Sequence, residues 1–192
     1  MSIKILAFCG STRSGSFNQK LLEIAAQGAL ESGAQVTHVH LNDYVLPFYD
    51  GDLERESGLP EAAKALQKLV KECDALLIAS PDYNGGYSAV LKNSLDWMSR
   101  PNGDGRAGLA CFADKPAAVL SASPGLLGGS RGHAAIRGAL DKLGMLVIPQ
   151  TFALGSAHEA FDAQRRLKDV RADAMVRAVG SALAQTAVKL RR

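Results

Sequence analysis

At 192 residues, with 47% hydrophobic and 21% charged side chains, the chain is long enough for one globular domain that needs no staple. The formal net charge is +3, part of it in the tail Lys189-Leu190-Arg191-Arg192, and no basic stripe is interleaved with aromatics, so no nucleic-acid footprint is read. Cys9, Cys73 and Cys111 show no CxxC or zinc spacing, and no run approaches the ~18 apolar residues of a membrane span, so the expected setting is reduced and cytoplasmic.

Residues 3–9 (Ile3-Lys4-Ile5-Leu6-Ala7-Phe8-Cys9) read as a strand. The polar loop Gly10-Ser11-Thr12-Arg13-Ser14-Gly15-Ser16-Phe17-Asn18 follows and runs into a helix over 17–32, with Leu21, Leu22, Ile24, Ala25 and Ala29 at helical spacing. Hydroxyls, an amide and a guanidinium above a helix N-terminus make an anion cradle. It is not a Walker A loop, because Ser16 and Phe17 stand where Lys and Ser or Thr belong. A second strand is read at 35–41, and residues 42–59 read as a long acidic loop with Pro47, Tyr49 and Gly51. Pro60 opens a helix over 60–72.

The strand at 75–80 is uniformly apolar and leads into Pro81-Asp82-Tyr83-Asn84-Gly85-Gly86. Pro81 stops the strand, the glycines let backbone approach a ligand, and Tyr83 can cover a ring. Backbone N–H groups at Asn84 and Gly85 could meet the edge of a flat heterocycle, so the two loops together point to a bound mononucleotide, and the second to a flavin. A helix over 87–99 follows, then an irregular stretch at 100–115 holding Pro101, Gly103, Gly105 and Gly108. The remaining elements are a strand at 117–122, a third loop from Ser121 to Gly129, and a helix over 130–143 with Ser130 as its cap. A last strand is read at 145–148 with 152–154, then a long helix over 163–188. Five strands alternating with five helices predict an α/β doubly wound parallel sheet, with ligands at the C-terminal strand ends.

Other patterns in the chain carry structural readings. Gly128-Gly129-Ser130-Arg131-Gly132 fits G-x-S-x-G, with Asp141 and His158 in hydrolase order, but Ser123 to Leu127 separate Ser130 from its strand. His38 and His40 share a strand face with no third metal ligand evident, so no metal is expected. Cys9 reads as a small buried residue and Trp97 as core or interface.

The chain resembles the NADPH-dependent FMN reductase family, which includes quinone and chromate reductases. The resemblance rests on the two loops above, on Leu91-Lys92-Asn93-Ser94-Leu95-Asp96-Trp97, on Asp114-Lys115-Pro116, and on Ser123-Pro124-Gly125 through Gly128-Gly129-Ser130-Arg131, in the family's order over residues 3 to about 155. It implies a flavodoxin-like sheet of order 2-1-3-4-5, in a dimer or tetramer; from its length, the whole of 1–192 is expected to be one domain. Ser11, Arg13, Ser16 and Asn18 would then hold the FMN phosphate, with Phe17 in the same cofactor-binding stretch. Pro81, Asp82, Tyr83, Asn84 and Gly85 would line the flavin ring, and Ser123 would close its far side. Asp82 stands where the family commonly has Glu, and the loop at 100–113 is longer than usual. The implied activity is hydride transfer from NADPH or NADH via FMN to quinones, flavins or oxidised metal anions such as chromate, in ping-pong order. FMN would carry the chemistry, with no catalytic acid or base. The competing class is a flavodoxin-like electron carrier or FMN-binding module without NAD(P)H turnover.

Overall fold

The computed structural model describes residues 2–103 and 108–191. Strands β1 (Lys4–Cys9), β2 (Gln35–Val39), β3 (Ala75–Ala79), β4 (Pro116–Ala122) and β5 (Leu146–Val147) form a parallel sheet of order β2-β1-β3-β4-β5, as expected. A sixth strand, β6 (Phe152–Leu154), pairs with β4 beyond the end of β5. The helices are α1 (Phe17–Glu31), α2 (Gly51–Ser57), α3 (Glu61–Glu72), α4 (Ala89–Met98), α5 (Ser130–Lys142), α6 (Ala157–Ala160) and α7 (Val170–Leu190).

Alternation along the strands divides the core into two layers. Ile5, Ala7 and Cys9 of β1, Leu77 of β3 and Leu120 of β4 pack toward α1 and α7. Leu6, Phe8, Leu76, Ile78 and Val119 pack the opposite way, against α3, α4 and α5. Both faces are covered, which is why these strands read as continuous apolar runs rather than alternating ones. Helices α1 and α7 approach closely because a Cβ on Gly28 would lie 2.1 Å from the Arg177 carbonyl oxygen, and one on Gly180 would lie 1.8 Å from that of Ala25.

Four boundaries differ from expectation. The stretch 42–59 is not all loop: Leu41–Asp43 is a 3-10 turn, which ends β2 early, and α2 lies between Asp50 and Gly58. Asp50 caps it by accepting from the Asp52 N–H at 2.8 Å, and Gly58 ends it at φ 71°. The last strand is two strands, because Pro149 cannot donate to a ladder. The long helix begins at Val170, where Asp169 accepts from the Arg171 N–H. Before it, Asp162 Oδ1 accepts from the N–H groups of Gln164 and Arg166, and that turn competes with the helical reading of 163–169. Helix α5 is capped by Gly129 at φ 86°, not by Ser130, which is its first residue. In the glycine-rich stretch at 100–115, Gly105 lies outside the described residues; Gly108–Cys111 is a 3-10 turn and Cys111 is buried.

Trp97 is fully buried and its indole N–H donates to the Pro47 carbonyl at 2.8 Å. Asn93 donates to the same oxygen and accepts from the Tyr49 N–H, which fastens the segment before α2 to α4.

Candidate functional site

The loops after β1, β3 and β4 emerge side by side at the C-terminal edge of the sheet, because β1 and β3 are register neighbours and β3 and β4 are the next pair. Helices α1 and α5 leave this edge on opposite faces of the sheet, so it is a topological switch point, where doubly wound folds bind ligands.

Hydrogen bonds join the three loops. Asn18, buried at the first turn of α1, donates through Nδ2 to the Ala122 carbonyl and accepts through Oδ1 from the Ala122 N–H, both at 2.8 Å. Ser88, the cap of α4, donates to the Gly10 carbonyl at 2.5 Å. Asp82 accepts from the Gly85 N–H through Oδ1 at 2.8 Å and from the Gly132 N–H through Oδ2 at 2.9 Å. Asn42 donates to the Thr12 carbonyl at 3.1 Å, which steadies the first loop from the β2 side.

These bonds redistribute the expected roles. The Asn18 amide, expected on a phosphate, ties the first loop to the third. Asp82 borders the expected ring cavity, but its carboxylate oxygens serve the protein's own amides. Gly85, expected to offer its N–H to a heterocycle, gives it to Asp82. Asn84 keeps its N–H without a partner among the described residues. The segment is a two-residue hairpin in which Tyr83 and Gly86 exchange both backbone hydrogen bonds. Asn84 at φ 57° and Gly85 at φ 81° are the positive-φ pair that a primed turn requires, hence the Asn-Gly sequence.

The first loop holds the other free donors. Arg13 is exposed and makes no hydrogen bond or ion pair among the described residues. Ser16 caps α1 by accepting from the Gln19 N–H at 3.3 Å. The N–H groups of Phe17 and Asn18 face out of the first turn by helix geometry. The Phe17 ring turns away and stacks on Phe161, with centroids 6.2 Å apart and planes at 2°, under the Lys20 ammonium. Phe17 therefore brings only backbone to this site. Cys9 lies beneath: its sulfur accepts from the Ser11 N–H at 3.4 Å, and burial pushes its thiol up to about 11. A thiol held protonated in this way is a poor nucleophile.

An open cavity of about 290 Å³ lies between the second and third loops. Asp82, Asn84 and Gly85 form one wall; Ser123, Gly125, Leu127, Gly128, Gly129 and Arg131 form the other. Ser123 lines the wall opposite Asn84, with its hydroxyl oxygen accepting from the Gly125 N–H at 3.2 Å. Pro81 is buried beneath, and Tyr83 is 52% exposed at the hairpin. Gly129 is required: besides its positive φ, a Cβ there would lie 3.0 Å from both the Asp82 Cβ and the Ser121 hydroxyl. The donor set fits a phosphate-bearing heterocycle, with Arg13 and the first turn of α1 for the phosphate and the Asn84 N–H with the cavity for the ring.

One residue outside the expected set lines the cavity, and a buried histidine follows it on α5. Arg131 lines the cavity and was legible only as part of a glycine-rich motif. His133, one turn into α5, is buried, and its Nδ1 is 3.1 Å from the Thr151 hydroxyl. That hydroxyl donates its single proton to the Val119 carbonyl at 2.5 Å. It must therefore accept from His133, so the proton is on Nδ1 and Nε2 is a buried lone pair without a partner among the described residues. Burial first, and Arg137 second, push the His133 pKa down; the Asp82 charge opposes them.

Ser130 is exposed at the start of α5, and Ser123 to Gly129 form a loop between it and β4, which removes the nucleophile-elbow geometry.

Comparison with known proteins follows the same lines. A family model described as NADPH-dependent FMN reductase matches residues 3–159. An NAD(P)H-dependent FMN reductase of Pseudomonas aeruginosa is 36% identical over 176 residues, 91% of this chain and 89% of that protein. An NAD(P)H:quinone oxidoreductase of Solanum tuberosum is 35% identical over 193 residues, 98% of this chain and 95% of that protein. Among solved structures, the flavoenzyme NAD(P)H:acceptor oxidoreductase FerB of Paracoccus denitrificans superposes with a TM-score of 0.80 at 26% identity, covering 97% of this chain and 98% of its own.

Proposed function

From a chain that belongs to the NADPH-dependent FMN reductase family and is an FMN-dependent NAD(P)H oxidoreductase, we propose that the acceptors are quinones, free flavins and oxidised metal anions such as chromate. Quinones lead because proteins named quinone oxidoreductases or quinone reductases recur among its relatives. FMN, when bound, supplies the two-electron chemistry that takes hydride from a nicotinamide and passes reducing equivalents on.

The remaining work is done by the chain. Arg13, the hydroxyls of Ser11 and Ser16 and the first-turn N–H groups of α1 hold the phosphate. The Asn84 N–H would donate to the ring edge, and the hydrogen-bonded loops hold that donor in place beforehand. Pro81, Asp82, Tyr83, Gly85 and Ser123 shape the ring's surroundings. Nucleotide and acceptor would meet the same exposed face of the ring in turn, which gives ping-pong order. No side chain is assigned as acid or base. The whole of 1–192 acts as one domain, in a cytoplasmic homodimer or homotetramer. Among the described residues, no helix is long and apolar enough to cross a membrane.

The observation that carries this reading is the set of three hydrogen-bonded loops at one sheet edge, with a cavity between the second and third and with Arg13 and the Asn84 N–H left free. The test is an absorbance spectrum of the FMN-saturated protein under nitrogen, before and after NADPH. Bound flavin that bleaches, then recovers on addition of a quinone, is the expected result. Bound flavin that NADPH leaves oxidised would make the protein a carrier, and absence of FMN binding would remove the assignment.

A further inference from the structure

The cavity between the second and third loops contains one cation that the mechanism above does not use. Arg131 is the second residue of α5, is exposed, and lines the cavity across from Asn84 and Gly85. Elsewhere the chain engages its guanidinium groups. Arg100 donates from Nε to both carboxylate oxygens of Glu54, Arg177 donates to Asp173 and Glu31, and Arg137 donates twice to the Ile148 carbonyl. Three described arginines make no such bond: Arg13, Arg131 and, away on α7, Arg171. Two of the three thus stand at the strand-end loops.

The surroundings explain why Arg131 stays free. The carboxylate nearest in the cavity wall is Asp82, and each of its oxygens already accepts an amide N–H, from Gly85 and from Gly132. Those two bonds offset its charge with amide dipoles and hold it against the protein. They also occupy amides that would otherwise face an incoming anion. The Gly125 N–H is taken by Ser123 Oγ, and the Ser130 N–H by the Leu127 carbonyl. Among the described side chains that line this wall, Arg131 is the one cation, and its planar fork of donors matches a phosphate. The FMN phosphate is placed at the first loop, with Arg13. A second unpaired arginine, at the start of α5 and lining the cavity, is placed to meet a second phosphate-bearing ligand.

We propose that Arg131 binds a phosphate group of the incoming nicotinamide dinucleotide. The proposal rests on the oxidoreductase reading above. The phosphate has two possible sources, the pyrophosphate common to NADH and NADPH and the 2′-phosphate of NADPH.

The experiment compares wild type, Arg131→Gln and Arg131→Lys, all saturated with FMN. KM and kcat are measured for NADPH and for NADH. Calorimetric titration with ADP and with adenosine 2′,5′-bisphosphate reports phosphate binding without turnover. The Gln variant should raise KM about tenfold or more, on the scale of one charge-assisted hydrogen bond. Its kcat should move less than its KM, and the Lys variant should recover part of the loss. A rise confined to NADPH, with loss of the bisphosphate alone, assigns the 2′-phosphate. Equal rises for both nucleotides, with loss of ADP, assign the pyrophosphate. Unchanged KM and unchanged titrations overturn the proposal. So does an equal fall in FMN affinity, which would put Arg131 in the FMN site. A wild type that binds FMN but oxidises neither nucleotide would sink the oxidoreductase reading instead, while the two titrations still decide Arg131.

Discussion

Arg13 is the residue on which cofactor retention turns, because it is the cation of the first loop and nothing in the described protein competes for it. Arg13→Ala should weaken FMN binding by about 1.5–3 kcal/mol, the range for a hydrogen bond to a charged group. Fluorescence titration with FMN measures this directly, and an unchanged dissociation constant would remove Arg13 from the phosphate site. His133 carries a prediction of a different kind. Its folded pKa lies below the ordinary 6.5, chiefly through burial, so the unfolded chain binds the proton more readily. The stability that the neutral imidazole contributes is present above about pH 6.5. It is lost as pH falls from there through the folded value. His38 is shifted the same way, again mainly by burial, so both contribute to acid sensitivity. In urea titrations between pH 7.5 and 5, His133→Gln should lose less stability on acidification than wild type. Parallel losses would mean that His133 does not titrate in this window.

At the scale of elements, the site depends on how closely helix starts approach loops. Gly129 caps α5 with its backbone folded left-handed against Asp82 and Ser121, so the helix delivers the Gly132 N–H to the Asp82 carboxylate. Gly15 also has positive φ, at 73°, but a Cβ there would meet nothing within 4 Å. The pair separates two costs. Gly15→Ala should cost only backbone strain, about 1 kcal/mol, whereas Gly129→Ala adds a collision and should cost roughly 2–4 kcal/mol. Chemical denaturation of both variants checks the order. The Gly129 variant should also bind FMN less tightly, because Asp82 loses its alignment with α5. If the two were equally stable, close packing at the start of α5 would not be what fixes this wall.

For the whole molecule, sheet order is what turns scattered motifs into one site. The loops that carry Arg13, Asn84 and Ser123 are separated by dozens of residues, yet β1, β3 and β4 are consecutive in the sheet. Helix α7 supports the arrangement from behind: glycines at 28 and 180 let it lie close on α1, whose first turn forms the phosphate end of the site. The segment before α2 is fastened to α4 through Trp97 and Asn93, yet leaves Phe48 82% exposed. The exposed side chain thus sits on a fixed loop.

The sequence by itself determined the α/β class, the strand order through its resemblance, and the two loops that reach the ligand edge. Strand runs and Gly, Pro, Ser and Asn punctuation are local signals, and β1, β3 and β4 sit close to where periodicity placed them. It did not reveal α2, because seven residues with no buried side chain carry no apolar face to read. It also overextended the last helix, since the Asp162 turn offers the backbone a rival set of hydrogen bonds. Tertiary structure alone decided which polar groups are free. Asn18, Asp82 and Gly85 read as ligand contacts because their types suit a ligand, but neighbouring backbone groups distant in sequence claim them. Arg13, Asn84 and Arg131 keep open valences because no such neighbour reaches them. A side chain's chemistry is written in the sequence; whether that chemistry is already satisfied depends on what the fold places within 3 Å of it.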